Sequence, residues 1–320
     1  MSKLRVLLTG ATGFVGSHVH PFLLERNYDV IGGTRQPDKA RAHAPDKAFC
    51  HIDLEDAASV YRAFEGIDRV VYLVHSMTEN KKYEGIEKKN AETVRAAAER
   101  KGVGRIVYLG GMRPAGKVSN HLMSRLETGR ILRGGAVQVV ELRATMIIGG
   151  GSESFRIVRD LSKRLPWMLL PKWLKSVSEP VAIKDIVAAI ERALVMPVSG
   201  SKVFDAPGPS VLSGKEILMR TARGLGQQPR AIDVPLVTPA LSSHWIHLVT
   251  RANAHVAKEL VEGLRSDILA EGDTIWGEMP EYERTPFDTA VARALREEEE
   301  KLPTTTKLLE RVLHRIAANH

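Results

Sequence analysis

Three glycines stand in the spacing G-x-x-G-x-x-G within Thr9-Gly10-Ala11-Thr12-Gly13-Phe14-Val15-Gly16. That spacing suits the cradling of a diphosphate. Gly10 permits a tight turn, Gly13 lets backbone N–H groups approach phosphate oxygens, and Gly16 lets a following helix pack closely. The helix start then offers unsatisfied donors and its dipole to the anion. Thr12, Phe14 and Val15 complete the expected contact surface. A sharp turn that binds nothing is the plain alternative. About 20 residues further on, where Asp or Glu would hold ribose hydroxyls, the chain has Thr34-Arg35. A guanidinium there suits a 2′-phosphate, and the missing carboxylate removes a repulsion, so the pattern predicts NADP(H) in preference to NAD(H). The alternative is an exposed loop arginine. Asp53, followed by Leu54, either accepts from an adenine amino group or caps the helix that begins nearby. Val74-His75-Ser76 follows a fourth apolar run; His75 either touches substrate or cofactor ribose, or caps the next turn.

Positioning such residues takes a sheet and helices. Leu4 to Leu8 and Arg69 to Val74 are nearly continuous apolar runs, as expected of parallel strands buried on both faces. Shorter strands are expected within 28–35, leading into a polar loop, and over 48–52, 105–109 and 137–142, with helices over 17–26, 83–101 and 121–133. Loops at the carboxyl edge of such a sheet are where ligands bind. From about residue 150 the alternation gives way to helices and proline-rich bends. The pattern predicts an α/β, doubly wound parallel sheet over residues 1–150 and a smaller, mostly helical substrate lobe over 151–320, with segments near 180–210 packing back on the core. Met112, Trp167 and Trp173 are expected either to line an apolar substrate pocket or to pack in the core. Residues 166–173 read as an apolar loop, and 296–301 as a charged helix.

A single cysteine, Cys50, excludes a disulfide within the chain and a cysteine-rich zinc cluster, and fits a reducing, cytoplasmic setting. No signal-like segment precedes the first strand, and no apolar run is long enough to span a membrane. The net charge of +8 would suit a phosphorylated cofactor, an acidic lipid surface or nucleic acid, but the positives are spread along the chain without an aromatic-interleaved basic patch, as on a mildly basic solvated surface; a small-molecule substrate and no nucleic acid are expected. His244, His247 and His255 lack a ligand spacing, so no metal is expected, and no G-x-S-x-G elbow marks a serine hydrolase.

With these pieces in order, the chain resembles a short-chain dehydrogenase/reductase of the extended or atypical kind, which has a Rossmann-like core. The likeness rests on TGATGFVG at 9–16, Asp53-Leu54, ELRATMIIGGGS at 141–152 and PVAIKDIVAAI at 180–190, where Asp185 stands as a capping or network residue. Within the family it is similar to the NAD(P)H-binding NmrA-like and complex I accessory-subunit-like group, through HSM at 75–77, H-L-x-S-R at 121–125 and PxWxK at 171–175. The resemblance implies a nicotinamide cofactor contacted by Gly110 and Arg125 among others, and a possible homodimer through the helices after the fourth and fifth strands.

The departures bear on chemistry. Members of the family typically use Tyr-x-x-x-Lys on the helix after the fifth strand and a serine at that strand's end. The corresponding positions here are His121-Leu122-Met123-Ser124-Arg125 and Gly110-Gly111. Residues four apart share a helix face, so His121 and Arg125 can point into one site. Arg125 could hold ribose hydroxyls but cannot relay a proton. His121, of a type that titrates at about 6.5, suits general acid work near neutrality; alternatively it only begins the helix and the site only binds. His75 is a second candidate acid. Three readings follow: an NADPH-dependent reductase of a small, largely apolar carbonyl, enone or quinone-like substrate; a catalytically silent NADP(H)-binding sensor or assembly protein; and a nucleotide-sugar epimerase.

Overall fold

Buried strands that alternate with helices along the sequence have one economical solution, a parallel sheet covered on both faces. The computed structural model describes residues 3–75, 83–116, 118–164, 167–234 and 266–300. In it β1 (Arg5–Thr9), β2 (Asp29–Thr34), β3 (Ala48–His51), β4 (Arg69–Tyr72), β5 (Arg105–Gly111), β6 (Gln138–Ala144) and β11 (Lys202–Asp205) form one seven-stranded sheet in the order β11-β6-β5-β4-β1-β2-β3. Every ladder of that sheet is parallel. The strand order reverses at β1, which pairs with β2 on one side and β4 on the other. The loops leaving β1 and β4 therefore diverge, and a crevice opens between them.

The two sheet faces bury alternate residues of the same strands. Val6, Leu8, Val71 and Val107 meet α1 (Phe14–Glu25) and α7 (Ile183–Val195) through Val19, Leu23, Ile186 and Ile190. Leu7, Val70, Ile106 and Tyr108 meet α4 (Tyr83–Lys101) and α5 (Asn120–Arg133) through Ala91, Val94, Ala98 and Ile131. Each fully buried aliphatic side chain is worth about 1.5–3 kcal/mol, so these two layers fix the sheet edge that carries the loops. The remaining core elements are short: α2 (Pro37–His43) and α3 (Ala57–Ala63) flank the β2–β3 edge.

Beyond β6 and the two-residue β7 (Ile147–Ile148), a second apolar cluster joins α6 (Glu153–Arg164), α8 (Gly214–Gly224) and α9 (Phe287–Glu300). Its members include Phe155, Val158, Ile217, Leu218, Phe287 and Val291. α7 and β11 lie on the main sheet, so the chain returns to the core after α6. Among the described residues no helix is long and apolar enough to cross a membrane.

Several local expectations shift. Residues 166–173, expected as a loop, contain strand β8 (Trp167–Pro171), paired in parallel with β13 (Arg230–Val234). Its partner arrives some sixty positions later, so no local signal marks it. Residues 181–196, which read from the sequence as a helix entered through Pro180, begin instead with strand β10 (Val181–Ala182), paired with β7, and the helix starts at Ile183. The charged helix at the end is the rear of α9, whose Phe287, Ala290, Val291 and Ala294 form a buried stripe at helical spacing. Asp56, not Asp53, caps α3, accepting from the Ala58 N–H at 3.0 Å.

Candidate functional site

The glycine turn has the geometry that its spacing requires. Gly10 has φ of +70°, open to glycine and strained for other residues. The Gly13 N–H donates to the Gly10 carbonyl at 3.0 Å and closes the turn. A Cβ on Gly16 would lie 2.2 Å from the Gly10 oxygen, so only glycine lets α1 start this close to the turn. Gly13 is the N-cap of α1 and no side chain caps the helix. The first-turn N–H groups are thus left for an outside acceptor, and the turn fits a dinucleotide diphosphate.

A cavity of about 460 Å³ opens from this turn along the sheet edge. Phe14 and Val15 of the turn, Leu73 and His75 after β4, Gly110 and Met112 at the end of β5, and His121 and Arg125 of α5 all line it. Glu153 and Ser154 at the start of α6, and Ser178, also line it. Ser119 caps α5 through the Leu122 N–H and sets His121 in its first turn. Gly111 is what lets α5 approach: a Cβ there would meet Leu122 Cδ1 at 2.6 Å. The glycine pair that stands where a serine is usual therefore also shapes the wall.

His75 sits in the middle of this group. Its Nε2–H donates to the Leu109 carbonyl at 3.0 Å, and its ring lies edge-on to Tyr108. Because a carbonyl only accepts, the tautomer follows, and Nδ1 is left as an acceptor. Burial holds the imidazole well below its usual pKa, and the charges of Arg125 and His121 push it further down. His75 is consequently a neutral acceptor in this geometry, with its one proton already committed. Nor do tyrosines beside the site replace the missing one: burial pushes Tyr72 and Tyr108 up, and Tyr108 donates its O–H to the Arg125 carbonyl at 3.0 Å.

A second cavity, about 420 Å³, lies on the other side of the turn between α1 and α2. Thr12 and Ser17 border it from the turn and α1, Thr34 and Gln36 from the end of β2, and Lys39 and His43 from α2. Lys47, Phe49 and His20 close its depth. Arg35 is exposed beside it and is not part of its lining. Sequence reasoning overlooked His20, Lys39 and Lys47. The signal available was the density of basic residues over 39–47, but only the packing of His20 against Phe49 of β3 brings it to them.

Other expected residues fall elsewhere. Asp53 lies just past β3, and its Oδ1 accepts from the Glu55 N–H at 3.1 Å. It lines neither cavity, and nor does Leu54, which is buried in the core. Val74 packs 3.4 Å from where a Gly10 Cβ would stand. Ser76 lies outside the described residues, as do His244, His247, His255 and the side chains of Trp167 and Trp173. Asp185 is a network residue: it is fully buried and accepts from Tyr282 Oη, Thr285 N and Thr285 Oγ1 at 2.8–2.9 Å.

A sequence profile described as NAD(P)H-binding matches residues 10–143. Cinnamoyl-CoA reductase 1 of Oryza sativa subsp. japonica is 34% identical over 114 residues, 33% of this chain and 34% of that protein. The chain thus spans about a third of the length of this curated relative. Among solved structures, the Citrobacter sp. triphenylmethane reductase complexed with NADP(H) superposes with a TM-score of 0.72 at 16% identity, covering 91% of this chain and 100% of that one. The Bordetella bronchiseptica enzyme WbmH in complex with NAD+ gives 0.67 at 18% identity, with 94% and 99% covered. These two share the fold, one holding NADP(H) and the other NAD+. The matched profile gives the chain an NAD(P)H-binding domain over residues 10–143, and the two superpositions show that it shares the Rossmann-like fold of these enzymes.

Proposed function

We propose that the chain is an NADPH-dependent reductase of a small, largely apolar carbonyl, enone or quinone-like substrate, with His121 as proton donor and Arg125 in the place of the usual lysine. The observation that carries this reading is that His121, Arg125 and a neutral His75 line one cavity that begins at the glycine turn. When bound, NADPH supplies a hydride to the carbonyl carbon. His121, entering protonated, donates its proton to the carbonyl oxygen and is left neutral, so that a ketone becomes an alcohol with charge and atoms balanced. Arg125 keeps its charge throughout and holds ribose hydroxyls through its fixed donors. His75 offers Nδ1 as an acceptor to its neighbours. Phe14, Leu73, Met112 and Met146 give the cavity its apolar wall. NADP(H) preference is supported by Arg35 beyond β2 and by the absence of a carboxylate from Thr34 to Gln36.

The replacement of the serine position by Gly110-Gly111 supports a second reading, a silent NADP(H)-binding sensor or assembly protein. An epimerase acting on nucleotide sugars ranks third, because Arg125 is the only Arg or Lys lining the larger cavity among the described residues, a poor match to a second diphosphate.

Purified protein mixed with NADPH and a panel of quinones, enones and ketones should oxidise the cofactor, followed by its absorbance. In His121→Ala, kcat should drop by about 100-fold or more while NADPH affinity stays within a few-fold. Undiminished turnover in that variant would remove His121 from the chemistry. Tight NADPH binding with no turnover on any substrate would favour the silent reading.

A further inference from the structure

The apolar lining of the larger cavity is interrupted by hydroxyl groups whose bonding can be followed atom by atom. Ser178 of β9 (Val177–Ser178) and Glu153 and Ser154 of α6 all line it. Ser178 is 8% exposed, and among the described residues no hydrogen bond engages its hydroxyl. A hydroxyl so enclosed, facing a cavity, is left for a group that a ligand brings. Ser154 is more constrained. The Ser152 hydroxyl has one hydrogen and donates it to the Ile147 carbonyl at 2.7 Å, so in the 3.2 Å contact between the two serines Ser154 is the donor. Ser154 Oγ therefore offers the cavity lone pairs only. Glu153 is the one carboxylate lining the cavity among the described residues, and it meets Arg156, one turn on, only at 3.5 Å. Both side chains of that pair are partly exposed, so the carboxylate keeps acceptor capacity. One stretch of backbone anchors these groups. Thr145 Oγ1 donates to the Glu179 carbonyl at 2.6 Å, the Val181 N–H to the Met146 carbonyl at 3.0 Å, and Ser152 to Ile147. Residues 145–147 thus hold both the segment that carries Ser178 and the one that carries Glu153 and Ser154.

A free donor, a committed acceptor and a carboxylate discriminate between ligand groups. An alcohol or phenol both donates and accepts, so it can give its hydrogen to Ser154 Oγ or Glu153 and take one from Ser178. A carboxylate has no proton for Ser154 and meets the charge of Glu153. An ammonium accepts nothing from Ser178, and it meets Arg125 and the positive N-terminal end of α6 in the same cavity. A methyl group leaves all three unpaired. Accepting the reductase reading above, we infer that the substrate carries, besides the carbonyl that is reduced, a neutral hydroxyl group read by Ser178, Ser154 and Glu153. The carbonyl end goes to His121 and Arg125, and the apolar body lies against Phe14, Leu73 and Met146. Ser178, Ser154 and Glu153 then determine specificity and take no part in hydride or proton transfer.

Aryl ketones and aryl enones in matched sets, differing only in a hydroxyl, methyl, carboxylate or aminomethyl group at each ring position in turn, test this on the full chain. For each compound kcat/KM with NADPH is followed by cofactor absorbance, and binding to the NADPH-loaded protein by calorimetry. At one ring position or more the hydroxyl member should exceed its methyl counterpart by about tenfold or more, and the carboxylate and aminomethyl members should fall below the methyl. Ser178→Ala and Ser154→Ala should each shrink the hydroxyl-to-methyl ratio several-fold, with the loss in KM more than in kcat. Glu153→Gln should narrow the gap between the methyl and carboxylate members. Should Ser178→Ala fail to fold, the wild-type ratio and Ser154→Ala carry the test. Turnover of methyl members without hydroxyl preference at any position, or a preference that survives both serine variants, overturns the inference and leaves the reductase reading intact. Binding of no hydroxylated member also overturns it. Hydroxyl-selective binding without turnover would instead sink the reductase reading and leave the ligand class standing.

Discussion

His20 and His75 are both held neutral by burial, and this gives the free protein a defined response to acid. Burial lowers His20 to about 4, Lys47 contributes in the same direction, and the Val30 hydrogen bond and Asp46 oppose them. Below its ordinary value of about 6.5 the unfolded chain takes up a proton that the folded chain refuses, so stability falls as pH drops from there toward the folded value. His75 acts with the same sign. Urea unfolding at pH 7 and pH 5 should therefore show a loss of about 2 kcal/mol from His20 alone. In His20→Gln that share of the loss should vanish; an equally steep pH dependence in the variant would show that the imidazole is not the group responsible. The residue scale also explains a gap in what the sequence conveys. From the sequence, His20 is a residue of the first helix that either packs or faces solvent, and in the fold it packs. Its second identity, as the floor of a basic crevice, exists only because Lys47 approaches from the start of another strand.

Among the elements, α5 is where packing and chemistry meet. It carries His121 and Arg125, and it comes near the end of β5 because Gly111 leaves room for Leu122. Gly111→Ala should push against Leu122 and lower stability by about 1–3 kcal/mol, the usual cost of overpacking. The same change should reduce turnover more than NADPH affinity, since it moves the helix face and leaves the glycine turn alone; a stable, fully active Gly111→Ala would show that α5 is free to adjust. The elements of the sheet were the most legible part of the sequence. Runs such as Val70-Val71-Tyr72 are buried on both faces and declare themselves locally, and α4 spans Tyr83–Lys101 as its pattern predicts. The pairing of β8 with β13 was not legible, because a strand of five residues takes its identity from a partner distant in sequence. Asp53 and Asp56 illustrate the limit at finer grain: both are plausible caps by type, and only backbone geometry selects Asp56.

Across the whole molecule, the segment near the end of the described chain is tied into the core, and two of its ties reach α7 and α1. Tyr282 and Thr285 satisfy the buried Asp185 of α7, and Glu297 of α9 accepts from the Gly150 N–H at 3.0 Å while facing His18 at 3.6 Å. His18 donates a ring N–H to the carbonyl of Phe14, whose ring meets it edge-on, and Phe14 lines the larger cavity. α9 is thus one contact removed from the turn that holds the dinucleotide. A ligand that stabilises the turn should also stabilise the helix behind it, since free energy of binding is shared with the segments that must be ordered for binding to occur. The amide protons of α9 should therefore exchange with deuterium several-fold more slowly when NADPH is bound, and unchanged exchange would mean that the two are uncoupled. The contact of Glu297 with His18 would make the last described helix a reporter of occupancy, legible by mass spectrometry without any knowledge of the substrate.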